Sequence, residues 1–283
     1  PNFGLGISII AGLTNMILDF LFIYVFRWGV AGAAIATITS QFVGAIIPMI
    51  YFARKNPTML KLGKTKFELS TIIKTCTNGS SEMVTNLSMS LVNVLFNIQL
   101  MKFAGANGVS AYGIIMYVGF LFVGTYMGYS VGTAPIIGYH YGANNKEELK
   151  NLLNKSIKLL GVVAIVMTFL AEVLAKPLAS IFVSYDKELL EMTINAIRLY
   201  SLSYIINWFN IFASSFFTAL NNGFISALIS FVRTLVFQIA CILILPAIWQ
   251  LNGIWLSVVV AEVLSIFVRI ICFIKNRKRY EYV

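Results

Sequence analysis

The sequence predicts an all-α integral membrane protein with eight transmembrane helices. Of its 283 residues 59% are hydrophobic and only 11% are charged, whereas a soluble domain of this size carries about 25% charged residues. The apolar residues form continuous runs rather than alternating with polar ones, which favours membrane-spanning helices over the strands of a barrel. Lipid is therefore the expected surroundings of most of the chain.

Each predicted span is a run of about 20 apolar residues, the length that a helix needs to cross the hydrocarbon core. The eight runs lie at 4–26, 30–52, 80–102, 109–133, 156–175, 194–219, 222–246 and 252–274. Short connections join most of them, so successive helices are expected to cross in opposite directions.

The basic residues predict the orientation of these spans, because Lys and Arg concentrate in cytoplasmic loops. Three alternate segments hold most of them: Arg54, Lys55, Lys61, Lys64, Lys66, Lys74; Lys146, Lys150, Lys155, Lys158; and Lys275, Arg277, Lys278, Arg279. The opposite connections hold only Arg27, Lys102, Lys176 and Lys187. We expect a cytoplasmic C-terminus, and we interpret the net charge of +10 as a topology signal, with no nucleic acid as partner.

The first two spans resemble the last two. Residues 31–54 align with 252–275 at an offset of 221, which pairs Gly32 with Gly253 and Gln41 with Glu262. Transporters are often built from repeated halves with the site between them. We therefore predict that 1–56 forms the last two helices of an N-terminal lobe, 57–79 a cytoplasmic connection, and 80–283 a six-helix C-terminal lobe with a basic cytoplasmic tail. Four further helices are expected before Pro1, which makes twelve.

Two spans carry a continuous polar stripe on one helical face. The first stripe is Glu82, Asn86, Ser90, Asn93 and Asn97, and the second is Ser203, Asn207, Asn210, Ser214 and Thr218. Small polar groups also join helices by hydrogen bonds worth about 0.6 kcal/mol each. Such groups need not run the whole length of a helix, so we favour a water-filled substrate or ion path.

Ionisable residues inside the spans are the other candidate functional groups. The carboxylate of Glu82 either stabilises a helix start or lies deeper in the membrane, and the sequence leaves both open. Asp19 forms a polar patch with Asn15, one turn earlier. Intramembrane ion pairs are expected among Arg198, Arg233 and Glu262. Glu172 and Arg269 fall near span ends, where we expect their charged groups to reach the interface.

Glycines and cysteines suggest packing rather than chemistry. Gly124, Gly128 and Gly132 follow a GxxxGxxxG pattern, which allows a neighbouring helix to approach closely. Cys76, Cys241, Cys272 and the single histidine lack metal-ligand spacing, so we expect no metal and no cofactor. No phosphate-binding loop or nucleophile–base spacing is present, and an enzyme is not predicted.

Three stretches resemble the multidrug and toxic compound extrusion (MATE) family. They are Asn15–Ile23 with the following Gly29–Ala34, Pro135–Asn144, and Asn252–Trp255. The resemblance implies twelve helices in two lobes of six, of which this chain would hold helices five and six and the whole second lobe. In the family the second-lobe cavity is lined by helices seven, eight and ten, which correspond to the third, fourth and sixth spans here. Both polar stripes fall on these helices.

The resemblance also implies a function. A monomeric transporter in a bacterial inner membrane would export cationic or amphipathic organic compounds in exchange for H⁺ or Na⁺, with Asp19 matching the acidic residue of the fifth-helix motif. Some relatives place a coupling glutamate deeper in helix seven, where this chain has Met89. A flippase for a lipid-linked saccharide and a non-transporting truncated fragment are the alternatives.

Overall fold

A computed structural model describes residues 2–54 and 67–280, without the side chains at 78, 81, 82 and 277–279. The described residues form helices and no strands, so the predicted all-α architecture is confirmed. Several predictions fall outside the described residues: the side chain of Glu82, the residues Lys55, Lys61, Lys64 and Lys66, and the side chains of Arg277, Lys278 and Arg279.

The chain divides into two compact units, Pro1–Glu68 and Leu69–Val283. The division falls inside segment 57–79, which the sequence predicts as a connection. The second half of that segment is helical, because the first helix of unit 2 begins at Leu69.

Unit 1 is a helical hairpin. Helix α1 spans Asn2–Asp19 and continues as a π-helical segment, Phe20–Val25, while α2 spans Gly29–Ala53. The chain reverses through Arg27, whose φ is 56°. The backbone N–H of Trp28 donates to the carbonyl of Phe22 at 2.8 Å, which closes the turn.

Unit 2 is a bundle built around α3. The helices are α3, Leu69–Gly142; α4, Lys146–Val183; α5, Lys187–Ser201; α6, Tyr204–Ala219; α7, Gly223–Phe231; and α8, Ile239–Tyr280. A π-helical segment, Val232–Gln238, links α7 to α8. Helix α3 packs against each of α4, α5, α6, α7 and α8, so it forms the centre of the unit.

Two of these helices are hairpins rather than rods. Helix α3 breaks at Gly105 (φ 59°, ψ −150°) and α8 breaks at Gln250 (φ 49°, ψ −130°). Both breaks fall between spans that the sequence predicts as separate. Among the described residues five helical stretches, two of which contain these breaks, are long and apolar enough to cross a membrane. The predicted span 194–219 is divided between α5 and α6.

Side-chain caps mark where helices begin, because the first backbone N–H groups of a helix have no partner within it. Asn145 accepts from the N–H of Glu148, and Asp186 accepts from the N–H groups of Glu188 and Leu189. Asn222 accepts from the N–H of Ile225 in the same way. Short polar turns thus set the starts of α4, α5 and α7.

Close packing in unit 2 relies on alanines of α4 and not on the glycines that the sequence suggested. Ala164, Ala171, Ala175 and Ala179 are fully buried, and their small side chains let neighbouring helices approach. A Cβ placed on Gly124, Gly128 or Gly132 would meet no atom within 4 Å. The close contact predicted for this glycine line is therefore absent among the described residues.

The sequence repeat has a structural counterpart in two glycines. A Cβ built on Gly32 would lie 3.0 Å from the carbonyl oxygen of Phe22, and one built on Gly253 would lie 2.3 Å from the carbonyl oxygen of Leu245. Each glycine therefore lets a returning helix touch the backbone of the preceding one. Because backbone cannot move aside cheaply, this position needs a residue without a side chain.

We predict that Gly253→Ala lowers the unfolding free energy by about 1–3 kcal/mol, since the added methyl group would overlap the Leu245 carbonyl. Thermal unfolding of the full chain in detergent measures this. Gly128→Ala is the matched control, because its Cβ enters open space, and we expect it to be neutral or stabilising by up to about 1 kcal/mol. Equal melting temperatures for the two variants would contradict the close-approach account.

Candidate functional site

A cavity of about 180 Å³ lies inside unit 2. Both arms of α3 contribute to its walls, together with α5, α6, the π-helical segment and the second arm of α8. Its apolar lining includes Met89, Phe96, Met116, Phe120, Val123, Met127 and Ile211. Its polar lining includes Asn93, Tyr112, Tyr200, Asn207, Arg233, Gln238 and Glu262. Ligand pockets commonly combine apolar walls with a few convergent polar groups in this way.

An ion pair forms one wall of the cavity. Arg233 donates to Oε1 of Glu262 from Nε at 2.8 Å and from Nη2 at 2.5 Å. Nη2 also donates to Oδ1 of Asn207 at 2.6 Å. The guanidinium side chain is 21% exposed and the glutamate side chain only 2% exposed. The structure thus joins two of the three residues for which ion pairing was predicted, while Arg198 is exposed and has no ion-pair partner among the described residues.

Arg233 lies in the π-helical segment. A π-helix has i→i+5 hydrogen bonds and more residues per turn than an α-helix, so residues inside it do not follow the α-helical spacing, and such segments are frequent at functional sites. Arg233 is the second residue of that segment and Thr234, which also lines the cavity, is the third.

A second polar contact crosses the α3 hairpin. The hydroxyl of Tyr112 donates to Oδ1 of Asn93 at 2.6 Å, and the ring of Tyr112 stacks on Phe96 with centroids 4.9 Å apart. Since Asn93 lies before the break at Gly105 and Tyr112 after it, this contact ties the two arms together beside the cavity.

The first polar stripe lies mostly on an exposed face. Asn86, Ser90, Asn93 and Asn97 are all exposed, and of these four Asn93 lines the cavity. Ser90 donates to the backbone carbonyl of Asn86, and the amide of Asn97 donates to that of Asn93. The backbone thus satisfies part of their hydrogen-bonding capacity while the remaining polar atoms stay available.

The second polar stripe divides into two parts. Asn207 reaches the cavity, and the Asn210 amide lies 3.5 Å from the backbone carbonyl of Glu262. Further along, Ser214 and Thr218 form hydrogen bonds of 2.8 Å with Ser226 of α7. Ser214 and Thr218 therefore join α6 to α7. The sequence analysis gave such interhelical hydrogen bonding as the alternative to a water-filled path. Ser203 is fully buried, and its hydroxyl has no partner among the described residues.

In unit 1, Asn15 and Asp19 are both partly buried. The carboxylate oxygen Oδ1 of Asp19 is shielded from solvent and has no hydrogen-bond partner among the described residues. A buried carboxylate oxygen without a donor is costly, which makes Asp19 a group that could take up a cation.

The sequence prediction for Arg269 is wrong. Its guanidinium was expected to reach the membrane interface, yet Arg269 is 1% exposed. Its three side-chain nitrogens have no hydrogen-bond partner among the described residues. The spacing of Glu262, Ser265 and Arg269 could have predicted this burial, because it places all three residues on one face of α8. Glu172 is partly buried and accepts a hydrogen bond from Ser201 at 2.8 Å, and its predicted position at the interface stays a prediction.

The sequence is similar to a known protein family and to curated members of known name. Residues 82–244 match the MatE family model. The chain is 25% identical over 252 residues to the multidrug export protein MepA of Staphylococcus aureus (strain bovine RF122 / ET3-1), covering 88% of this chain and 54% of MepA. The chain thus spans about half the length of this curated relative.

Solved structures show the same fold. A crystal structure of MATE in complex with MaL6 superposes with a TM-score of 0.87 at 23% identity, covering 97% of this chain and 62% of that one. An outward-facing multidrug resistance MATE family transporter of the MOP superfamily superposes with a TM-score of 0.86 at 24% identity, covering 97% and 61%. At these identities the likeness establishes the helical architecture alone.

We predict that Glu262→Leu lowers the unfolding free energy by about 3–5 kcal/mol, because it leaves the guanidinium of Arg233 without its carboxylate. The double variant Glu262→Leu/Arg233→Leu should recover part of that loss. Thermal unfolding in detergent gives both values. Glu191→Leu, at an exposed carboxylate of α5, should change stability by no more than about 0.5 kcal/mol. A double variant less stable than Glu262→Leu would contradict the pairing account.

Cysteine labelling tests the accessibility of the cavity. In a chain whose three cysteines are replaced by alanine, we expect Asn93→Cys to react with a neutral water-soluble maleimide about tenfold faster than Ser226→Cys, since an exposed thiol is the more reactive one. Asn93 is exposed beside the cavity, whereas Ser226 is fully buried between α6 and α7. Mass spectrometry of the intact chain follows the reaction. A thiol at position 93 that reacts as slowly as the buried thiol at position 226 would contradict the accessibility of the cavity.

Proposed function

The chain belongs to the MatE family, and from that premise we propose that the protein exports small organic compounds across a membrane. The cavity of unit 2 is the observation that carries this proposal. Three methionines among its lining residues, Met89, Met116 and Met127, can adapt to ligands of different shape because their side chains are unbranched and polarizable. Asn93, Asn207 and Gln238 add side-chain amides, which can both donate and accept hydrogen bonds. Such walls suit a transporter with many substrates.

The exposed polar face of α3 supports a path for these compounds. Amide groups that faced lipid would lose their hydrogen bonds to water, which costs several kcal/mol per group in hydrocarbon. Asn86, Asn93 and Asn97 are exposed on one face of one helix. We therefore propose that this face borders a water-filled cleft that opens alternately to the two sides of the membrane as two lobes rock against each other.

We propose that an ion gradient drives export, with H⁺ or Na⁺ entering as the compound leaves. Carboxylates in the membrane suit this role because binding a cation removes the cost of keeping them charged. Asp19 is the candidate supported by an unpartnered oxygen. Glu82 is the second candidate, on the sequence alone. No other cofactor is required by this scheme.

We propose a location in a bacterial inner membrane, and the charge distribution supports a cytoplasmic C-terminus. Lys275 and Arg277–Arg279 follow the last span, and Lys146, Lys150, Lys155 and Lys158 follow the turn after α3. Both sets would lie on the cytoplasmic side by the positive-inside rule. We propose a monomer in the lipid bilayer.

Efflux measurements test the coupling role. We expect Asp19→Asn in the full-length protein to slow ethidium efflux from cells by about tenfold or more, a change of about 1.4 kcal/mol in the transition-state free energy. The matched control is Glu172→Gln, which removes a carboxylate that hydrogen-bonds Ser201 and does not line the cavity. Expression of both variants is checked by immunoblotting. Unchanged efflux for Asp19→Asn would remove this residue from the mechanism.

A further inference from the structure

The charges that line the unit 2 cavity cancel. Among the described lining residues Arg233 and Glu262 are the charged ones, and they form an ion pair with each other. Arg269 is buried in α8 but does not line the cavity. The wall of the cavity therefore supplies no net counter-charge for an ionised ligand.

A cationic ligand finds no accessible carboxylate oxygen on this wall. Oε1 of Glu262 accepts from Nε and Nη2 of Arg233, at 2.8 and 2.5 Å. Oε2 is shielded from solvent, and the glutamate side chain is only 2% exposed, against 21% for Arg233. To reach Glu262 a cation would have to displace Arg233, which would leave a guanidinium without its carboxylate beside a second positive charge. Breaking a buried pair in this way is strongly unfavourable.

An anionic ligand gives the opposite imbalance. Nη1 of Arg233 donates to no group in the part of the chain that the structure describes, so its two N–H donors remain for a ligand. A carboxylate at Nη1 would bring a second negative charge to a guanidinium that Glu262 already neutralises. The occupied cavity would then hold one net negative charge, taken out of water without a partner.

We propose that the unit 2 cavity binds uncharged aromatic compounds that carry a carbonyl group, with the carbonyl oxygen accepting a hydrogen bond from Nη1 of Arg233. A neutral acceptor uses this donor without changing the charge balance, and the charge of the guanidinium strengthens the hydrogen bond. Phe96, Phe120 and Met116 provide apolar contacts for the rings. The volume of about 180 Å³ limits the ligand to a small ring system.

This ligand class rests on the proposed function, because the cavity is taken as the place where exported compounds bind. It differs from the cationic substrates that the family resemblance implies. Cationic compounds such as ethidium would bind elsewhere along the export path, since the cavity wall offers them no free carboxylate.

Three probes of nearly identical shape test the ligand charge on the full chain in lipid nanodiscs. They are 2-naphthamide, 2-naphthamidinium and 2-naphthoate, which are neutral, positive and negative. Equilibrium dialysis measures their binding, and empty nanodiscs of the same lipid composition correct for partition into lipid. We expect the amide to bind about tenfold more tightly than either ion, a difference of about 1.4 kcal/mol. An ion that binds as tightly as the amide, or no binding of the amide beyond that of empty nanodiscs, would overturn the proposal.

Two charge variants test whether the ion pair causes this selectivity. Arg233→Gln leaves the carboxylate of Glu262 without its partner, so the amidinium should become the tightest ligand of the three. Glu262→Gln leaves Arg233 without its carboxylate, so naphthoate should become the tightest. Arg198→Gln removes a positive charge from an exposed position outside the cavity and should keep the amide first. An unchanged order of affinities in both cavity variants would contradict the charge-balance account.

Ligand charge and export can fail separately in these experiments. Tight binding of naphthamide by a protein that does not export it from cells would count against export alone. Efflux without a preference for the uncharged probe would overturn the ligand class alone. If a cavity variant does not fold, the order of the three probes on the unmutated chain still decides the ligand charge.

Discussion

The ion pair between Arg233 and Glu262 is the interaction on which the interior of unit 2 depends. It joins the π-helical segment after α7 to the second arm of α8, and Asn207 brings in α6. Neither charged group would be stable alone in a helical bundle surrounded by lipid. Together they place three polar groups from three helices at one point of the cavity wall, around which the methionine and phenylalanine side chains leave open space.

The fold was largely predictable from the sequence, because the membrane imposes a simple length rule. Apolar runs of about 20 residues give the spans, and the breaks at Gly105 and Gln250 fall where two predicted spans meet. The repeat was also visible, although its physical basis was not. Only the structure shows that Gly32 and Gly253 each allow a returning helix to touch a backbone carbonyl.

The site was less predictable, for two physical reasons. A 3.6-residue period gives the face of a helix but not the neighbour that covers it, so the same polar stripe contains both Asn207 in the cavity and Ser214 bonded to α7. Helix ends are also poorly defined in sequence. Arg269 lies near the end of the predicted span 252–274, but α8 continues to Tyr280, which places this arginine well inside the helix.

The two π-helical segments, Phe20–Val25 and Val232–Gln238, have a consequence for how proteins of this fold can vary. Each segment holds an extra residue inside a membrane helix without lengthening any connection. Deleting one residue there would restore ordinary α-helical winding within about one turn, so the side chains beyond the segment would keep their faces. The change would fall on the residues of the segment itself, which in Val232–Gln238 include Arg233, Thr234 and Gln238 of the cavity lining, while the loops and the bundle outline stay the same.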